Sequence, residues 1–256
     1  MPTQGTGPTS DTRFEYELLT DRVPNEVVIR GDPSSCPYIE GKMAQFPVRL
    51  PTRPLFPQEL DTRLEQGDRR QGDVFYTPEC EDCTACIPIR LNVRDFRPNK
   101  THRRILRQGD RLLRVAAGPI HFDQARVDLY DKHLYGRGLA HGKANPSTQP
   151  DYERFVASSF IHSIEIRLYL DDALVGVAIT DCGATALSAH YTYYDPTHPY
   201  LSLGTYAILQ QMRLALKLGM QCLYLGLLVE QSVHMQYKAR FHPNERRIQG
   251  RWTRFE

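Results

Sequence analysis

Residues 186–228, ALSAHYTYYDPTHPYLSLGTYAILQQMRLALKLGMQCLYLGLL, are the stretch on which the fold turns. Ala186 to Tyr194 is rich in aromatic residues and stops at Asp195-Pro196, which reads as a strand closed by a turn. From Ser202 to Leu218, the residues Leu203, Ala207, Leu214 and Leu218 recur at helical spacing, and Gly219 ends the run. Cys222 to Leu228 is short, apolar and uninterrupted, the pattern of a buried strand. Strand, helix and strand in that order need a sheet with the helix packed on it.

Upstream, Ile164 to Leu170 and Leu174 to Thr180 flank the turn Asp171-Asp172 and feed a hairpin into that unit. Leu112 to Ala116 reads as a strand, Asp123 to Leu134 as a helix, and residues 136–150 as a Gly/Asn/Pro-rich loop before a helix capped by Asp151 and running to Ser159. In the first part, Glu26 to Arg30, Val74 to Tyr76 and Ile89 to Val93 are strand-like. Pro47, Pro51, Pro54 and Pro57 make residues 47–60 loop, with a short helix from Pro57 to Gln66 stopped by Gly67. A short helix near 230–239 and a basic tail finish the chain. The expected class is α+β, a mixed α/β sheet with helices. Residues 1–13 read as a disordered tail, 14–110 as a smaller Cys-bearing N-terminal region, and 111–256 as a C-terminal domain.

The chain has 256 residues, 41% of them hydrophobic, enough for a packed core and against wholesale disorder. Met1 to Arg13 lacks the apolar core of a signal peptide, and the longest apolar run, Cys222 to Val229, falls far short of the roughly 20 residues that span a bilayer. The expectation is a cytoplasmic protein with no membrane partner. Its six cysteines then point to metal or redox chemistry rather than a disulfide framework. Cys80-x2-Cys83-x2-Cys86 is spaced for thiolates converging on one ion, and Cys36 is the candidate fourth ligand. Four sulfurs suit zinc or an iron–sulfur cluster, and the alternative is reduced cysteines that only pack. Cys182 and Cys222 read as core residues.

Net charge is only +2, from 32 Lys plus Arg against 30 Asp plus Glu. That figure averages two unlike parts. Arg97 to Arg114 carries seven basic residues against Asp110 alone, +6, which leaves −4 for the remainder. Arg103, Arg104 and Arg107 share a face if residues 101–108 are helical, and such a face suits the phosphates of a nucleic acid. A solvated face is the plainer reading. Tyr191 to Pro196, then Leu201-Ser-Leu-Gly-Thr205 opening a helix, place a strand end beside unpaired helix N–H groups, with Ser202 as N-cap and Gly204 allowing close approach. The G-x-G-x-x-G, Walker and G-x-S-x-G patterns are absent.

Taken in order, these segments resemble the aminoacyl-tRNA–protein transferase family, the bacterial aspartate/glutamate leucyltransferase branch above all. The resemblance rests on Cys36-Pro37-Tyr38, Arg69-Arg70, Tyr76-x-Pro78-x-Cys80-x2-Cys83-x-Ala85-Cys86, Pro88-x-Arg90 and Arg103-Arg104. It continues through Tyr191-Thr192, Asp195-Pro196, Ser202-Leu203-Gly204-Thr205, Tyr224-Leu225-Gly226, Met235-x-Tyr237-Lys238 and Gly250-Arg251-Trp252. It implies a GNAT-like acyltransferase fold in the C-terminal part. It also implies transfer of an amino acid, leucine in this branch and arginine in the other, from charged tRNA to the N-terminus of proteins beginning with Asp or Glu, which marks them for degradation.

The donor ester is already activated, so no cofactor is required for the chemistry and no coenzyme A is expected. The roles that follow are Asp195 orienting or deprotonating the α-amine with Tyr191 or Tyr194 assisting, and Ser202, Gly204 and Thr205 at the oxyanion or terminal adenosine. Arg69, Arg70 and Lys238 would bind the acidic acceptor, Arg103, Arg104 and Arg107 the tRNA, and Cys36, Cys80, Cys83 and Cys86 a structural or regulatory zinc or iron–sulfur cluster. Asp195 has a plainer reading too, as the residue that forms the turn before Pro196. Two other classes stay open. One is a coenzyme-A-dependent N-acetyltransferase, against which stands the missing [RQ]-x-x-G-x-[GA] loop. The other is a non-catalytic metal-dependent nucleic-acid-binding or redox-sensing protein.

Overall fold

Cys222–Leu228 is buried along nearly its whole length, and the larger of two sheets is assembled around it. The computed structural model describes residues 14–140 and 145–256, so the expected tail at 1–13 and part of the loop at 136–150 lie outside the described residues. The first part of the chain comprises β1 (Glu15–Leu19), β2 (Glu26–Arg30), β3 (Ser34–Ser35), β4 (Met43–Ala44), β5 (Val48–Pro51), α1 (Pro57–Glu65), β6 (Arg69–Gln71), β7 (Val74–Tyr76), β8 (Ile87–Asn92) and α2 (Lys100–Leu112). The second comprises β9 (Leu113–Pro119), α3 (Gln124–Gly136), α4 (Gln149–Val156), β10 (Ser163–Leu170), β11 (Ala173–Cys182), β12 (Ala186–Tyr194), α5 (Leu203–Lys217), β13 (Cys222–Leu228), β14 (Asn244–Ile248) and β15 (Arg251–Phe255).

The small sheet runs β1-β2-β5-β7-β6, and the large one β15-β14-β8-β13-β12-β11-β10-β9. Every pairing in the large sheet is antiparallel except β12 with β13. That exception follows from α5, because a parallel pair needs a crossover connection. The α+β expectation holds. β8 and α2 precede residue 111, yet Ile89, Leu91 and Ile105 belong to the same buried core as Leu203, Ala207, Ile208 and Leu223 of the second part.

Four local readings change. Thr148, not Asp151, is the N-cap of α4; Asp151 is its reciprocal partner three residues on, accepting from the Thr148 N–H. Leu218 lies at the frayed end of α5 and is exposed, and the buried stripe continues instead through Tyr206, Leu209, Met212 and Ala215. Residues 48–51 form a strand, because Pro51 stands at its end, where a missing N–H costs little. The basic tail is the hairpin β14–β15.

α2 and α5 cross at Gly109, where an added Cβ would stand 2.2 Å from Tyr206 Cε2. The contact is fixed by Asp110, which takes hydrogen bonds from Tyr206 and two from Arg213 (2.6 and 2.8 Å). Asp110, the one acidic residue of the basic segment, is therefore neutralised from outside it. Arg103, Arg104 and Arg107 stay exposed, opposite buried His102 and Ile105.

Candidate active site

β12 and β13 pair only from Ala186–Ser188 against Cys222–Tyr224, although β12 continues to Tyr194 and β13 to Leu228. Each strand bulges where the pairing stops. In β12, Thr180 faces Ala189 and Ile179 faces Tyr191, so His190 is the extra residue. In β13, Arg90 faces Tyr224 and Ile89 faces Gly226, so Leu225 is extra. Bulges bend and twist their strands, and two at one level drive the pair apart. The slip also reverses alternation: Leu187 joins the core under α5, whereas Tyr191 and Tyr193 pack with Tyr130, Tyr152 and Phe155 of α3 and α4. A cleft of about 1100 Å³ opens in the split, walled by the ends of α3 and α5, by β6, and by the 3₁₀ turn Gln236–Arg240.

Adjacent residues of a strand point to opposite faces, and this separates the two arginines that sequence reasoning grouped together. Arg70 turns inward. Its five donors are all used, on both carboxylate oxygens of Asp181 (2.7 and 3.1 Å) and on the carbonyls of Gly72, Val156 and Ala157. No donor is left for a substrate. Arg69 turns to the cleft and gives one N–H to the carbonyl of His190, the bulged residue (3.0 Å). Its guanidinium rests on β13 at Gly226, where φ is +82° and an added Cβ would stand 2.5 Å from Arg69 Cζ. Lys238 Nζ donates to the next carbonyl along, Leu227 O, at 2.6 Å. Arg69 and Lys238 thus anchor on the carbonyls of the two splayed strands. Burial, and then the charge of Arg69, bring the half-buried Lys238 down to about 7.

Asp195 sits at the end of β12 but does not line the cleft. Its carboxylate accepts from Lys132 Nζ (2.6 Å) and from the N–H and hydroxyl of Thr197 (2.9 and 2.7 Å). Burial favours the neutral form, yet these partners outweigh it and hold the group below the usual carboxylate range. A lowered, fully occupied carboxylate is a poor base. Asp195 shapes the turn into α5 instead, the plainer of its two readings. Tyr191 and Tyr194 do line the cleft. Burial raises the Tyr191 phenol, which keeps it protonated, and Tyr194 OH accepts from Arg137 (2.7 Å). His133 Nδ1 takes the N–H of Tyr194 (3.2 Å), and burial lowers this imidazole to about 4.

Ser202 occupies the N-cap position of α5 in a left-handed conformation and makes no side-chain cap bond there. With Gly204 and Thr205 it lines the cleft, and the N–H groups of Leu203 to Thr205 are the first-turn donors. A Cβ at Gly204 would come within 3.1 Å of Tyr194 Cε1, so glycine lets the phenol approach the helix end. Among the described residues no Asp or Glu lines the cleft, whereas Arg69, Arg137, Lys238 and Arg240 all do. Sequence reading missed Arg137 and His133. Arg137 lies in a Gly-rich loop, and His133 resembles any other isolated histidine on a helix.

α2 packs against the 3₁₀ turn Pro199–Leu201, which leads directly into α5. None of the four expected metal ligands lines the cleft, although Pro37 and Tyr38, next to Cys36, do. Burial, then the thiols of Cys36, Cys80 and Cys83, push Cys86 up to about 12. Their donor chemistry suits a soft metal, but all four thiols are free, and among the described residues no three His, Cys, Asp or Glu side chains stand as a group able to hold an ion. Cys182 and Cys222 lie in β11 and β13 as expected, half-buried. No described helix is long and apolar enough to cross a membrane.

Known proteins resemble this chain on both sides of the cleft. Residues 34–104 match the family model described as "Arginine-tRNA-protein transferase, N terminus", and residues 125–248 match its C-terminus counterpart. An "Aspartate/glutamate leucyltransferase" of Thiobacillus denitrificans is 34% identical over 86% of this chain and 91% of its own length. One from Pseudoalteromonas atlantica is 40% identical over 74% of this chain and 80% of its own. Among solved structures, a DUF2156 domain from Agrobacterium fabrum aligns at TM-score 0.46 and 15% identity over 66% of this chain and 58% of that one.

Proposed function

The chain belongs to the arginine-tRNA-protein transferase family and is an aminoacyltransferase, and within that family we propose that it moves leucine from leucyl-tRNA to the α-amine of proteins beginning with Asp or Glu. The observation that carries this reading is the charge of the cleft: four arginines and Lys238 line it and no carboxylate does, among the described residues. An acidic acceptor side chain finds a partner on Arg69, with Arg137 and Arg240 adding to the field. A cationic acceptor or a guanidinium donor finds none. The neutral leucyl side chain suits the wall of half-buried rings of Tyr130, Phe155 and Tyr191.

The chemistry is one acyl transfer. The α-amine, with a reference pKa of about 7.7–8.0, is partly neutral near pH 7 and attacks the ester carbon. The oxyanion that forms lies at the N–H groups of Leu203 to Thr205, donors that need no reorganisation. Holding amine and ester in the split supplies much of the rate. Cys36, Cys80, Cys83 and Cys86 are the residues that would hold a structural or regulatory zinc or iron–sulfur group, which takes no part in the transfer step. Aminoacyl-tRNA as donor fits action in the cytoplasm.

The reading is tested by offering leucyl-tRNA labelled in the amino acid to peptides beginning Asp, Glu, Lys or Arg. Label on the acidic pair alone is expected; label on the basic pair would overturn the acceptor assignment. The tRNA itself is assigned to Arg103, Arg104 and Arg107. Arg103→Ala with Arg104→Ala should weaken tRNA binding and lower the slope of log affinity against log salt by about 1.4–1.8, at about 0.7–0.9 for each phosphate no longer neutralised. A salt titration with an unchanged slope contradicts that assignment.

A further inference from the structure

Amide formation requires the acceptor nitrogen to lose a proton, and the cleft has no carboxylate to take it among the described residues. The tyrosines are poor candidates: burial keeps Tyr191 protonated and raises Tyr237 to about 12. The histidines are committed or shielded. His133 Nδ1 holds the Tyr194 N–H, His190 Nε2 faces the Phe155 carbonyl with its Nδ1 buried, and His234 Nδ1 is likewise buried. His198 also lines the cleft, with its Nε2 turned to the Asp195 carboxylate 3.6 Å away.

Lys238 is differently placed. It lines the split, and one N–H holds its nitrogen at Leu227 O, on the strand that departs from β12. Arg69 lies beside it against Gly226, reaching the His190 carbonyl of the other strand. The charged or titratable groups that face this corner are Arg69 from β6, Tyr194 from β12, Arg137 after α3, and Tyr237 and Arg240 from the same turn. No carboxylate is among them to stabilise a proton on Lys238.

We propose that Lys238 is the general base of the transfer, and that the acceptor's own carboxylate switches it on by neutralising Arg69. As the amine nitrogen bonds to the acyl carbon, its proton passes to Lys238 Nζ. As the carbon–oxygen bond to the ribose breaks, that proton goes to the ribose oxygen. The products are an amide and a free ribose hydroxyl, and Lys238 ends neutral, as it began. An acidic acceptor on Arg69 removes the repulsion that opposes protonation, so the residue that identifies the substrate also strengthens the base. The lowered proton affinity of Lys238 noted above fits this role, since a base works best when its pKa lies near the operating pH. The proposal rests on the acceptor reading given under Proposed function.

The test compares Lys238→Ala, Lys238→Gln and Lys238→Arg, using leucyl-tRNA and an Asp-initiated peptide. All three should lose about 10²–10⁴-fold in kcat, with charged-tRNA affinity unchanged as the check on folding. Ethylamine and related small amines should restore Lys238→Ala, at rates that follow their basicity, and should leave Lys238→Arg inactive. Activity retained in Lys238→Arg, or a loss confined to the peptide KM without rescue by amines, would show a binding cation and overturn the proposal. If the wild type proves to use another donor, the same variants are assayed with that donor, so the base assignment stands or falls separately.

Discussion

Arg70→Ala is expected to destabilise the protein by about 3–5 kcal/mol, the cost of removing one partner from a buried ion pair. Side chains of Arg70 and Asp181 are only 2% and 3% exposed, and the guanidinium ties β6 to β11 and to the end of α4. Removing it strands a buried carboxylate that keeps only Ser163 Oγ as a side-chain partner (2.7 Å) and leaves three carbonyls short of a donor. The loss carries a pH signature. In the wild type, burial opposes the Asp181 charge but Arg70 outweighs it and lowers the pKa. That contribution is present above the unfolded value of about 3.9 and is lost only as pH falls through the folded one. In the variant the buried carboxylate is raised instead, so the penalty grows above about pH 4 by up to about 1.4 kcal/mol per unit. Urea unfolding at pH 7 and pH 5 should therefore show the gap between wild type and variant narrowing on acidification. A gap of equal size at both would mean that Asp181 is not the group left exposed to the loss.

The next large effect is expected at Gly226. Gly226→Ala puts a methyl 2.5–2.8 Å from the Arg69 guanidinium and forces a side chain into a left-handed backbone. The guanidinium must leave its place on β13, and with it goes the cation facing the acidic acceptor. Transfer to Asp- and Glu-initiated peptides should fall by about 2–5 kcal/mol in kcat/KM, the range for truncating one member of a buried charge pair. Arg69→Ala should match it, and the double variant should lose little more than either alone, because both remove the same interaction. Additive losses would show that Gly226 matters for a reason other than Arg69.

Much of this molecule can be read from its residues. The unit at 186–228 is legible because aromatic strand, 3.6-residue stripe and apolar strand follow one another without ambiguity. The hairpin at 244–255 is hidden because its apolar surface lies under arginines: Arg246 stacks 4.2 Å over Phe255, and Arg90 stands 4.2 Å over Trp252. Side chains that cover rings with aliphatic stems read as a charged tail.

Membership of the cleft lining, though not the role of each residue, is legible at Arg69, Lys238 and Ser202 to Thr205. Reading Arg69 and Arg70 as a pair ignored strand alternation, which alone predicts that one faces inward. Asp195 drew attention as a carboxylate beside tyrosines, and its engagement by Lys132 from α3 is a tertiary fact with no sequence signal. The splay of β12 and β13 depends on two bulges, and the uninterrupted reading of Cys222 to Leu228 gives no sign of the one at Leu225.

A cleft lined by cations and by no carboxylate, among the described residues, should select a neutral donor for an acidic acceptor. Supplying the wild-type protein with leucyl-tRNA and arginyl-tRNA together, in equal amounts, puts that selection to direct competition. The acceptor is an Asp-initiated peptide, and mass spectrometry reads which residue is added. Leucine is expected in large excess, since an arginyl side chain would enter a site that already holds Arg69, Arg137 and Arg240 with nothing to pair it. Arginine added as readily as leucine would contradict it.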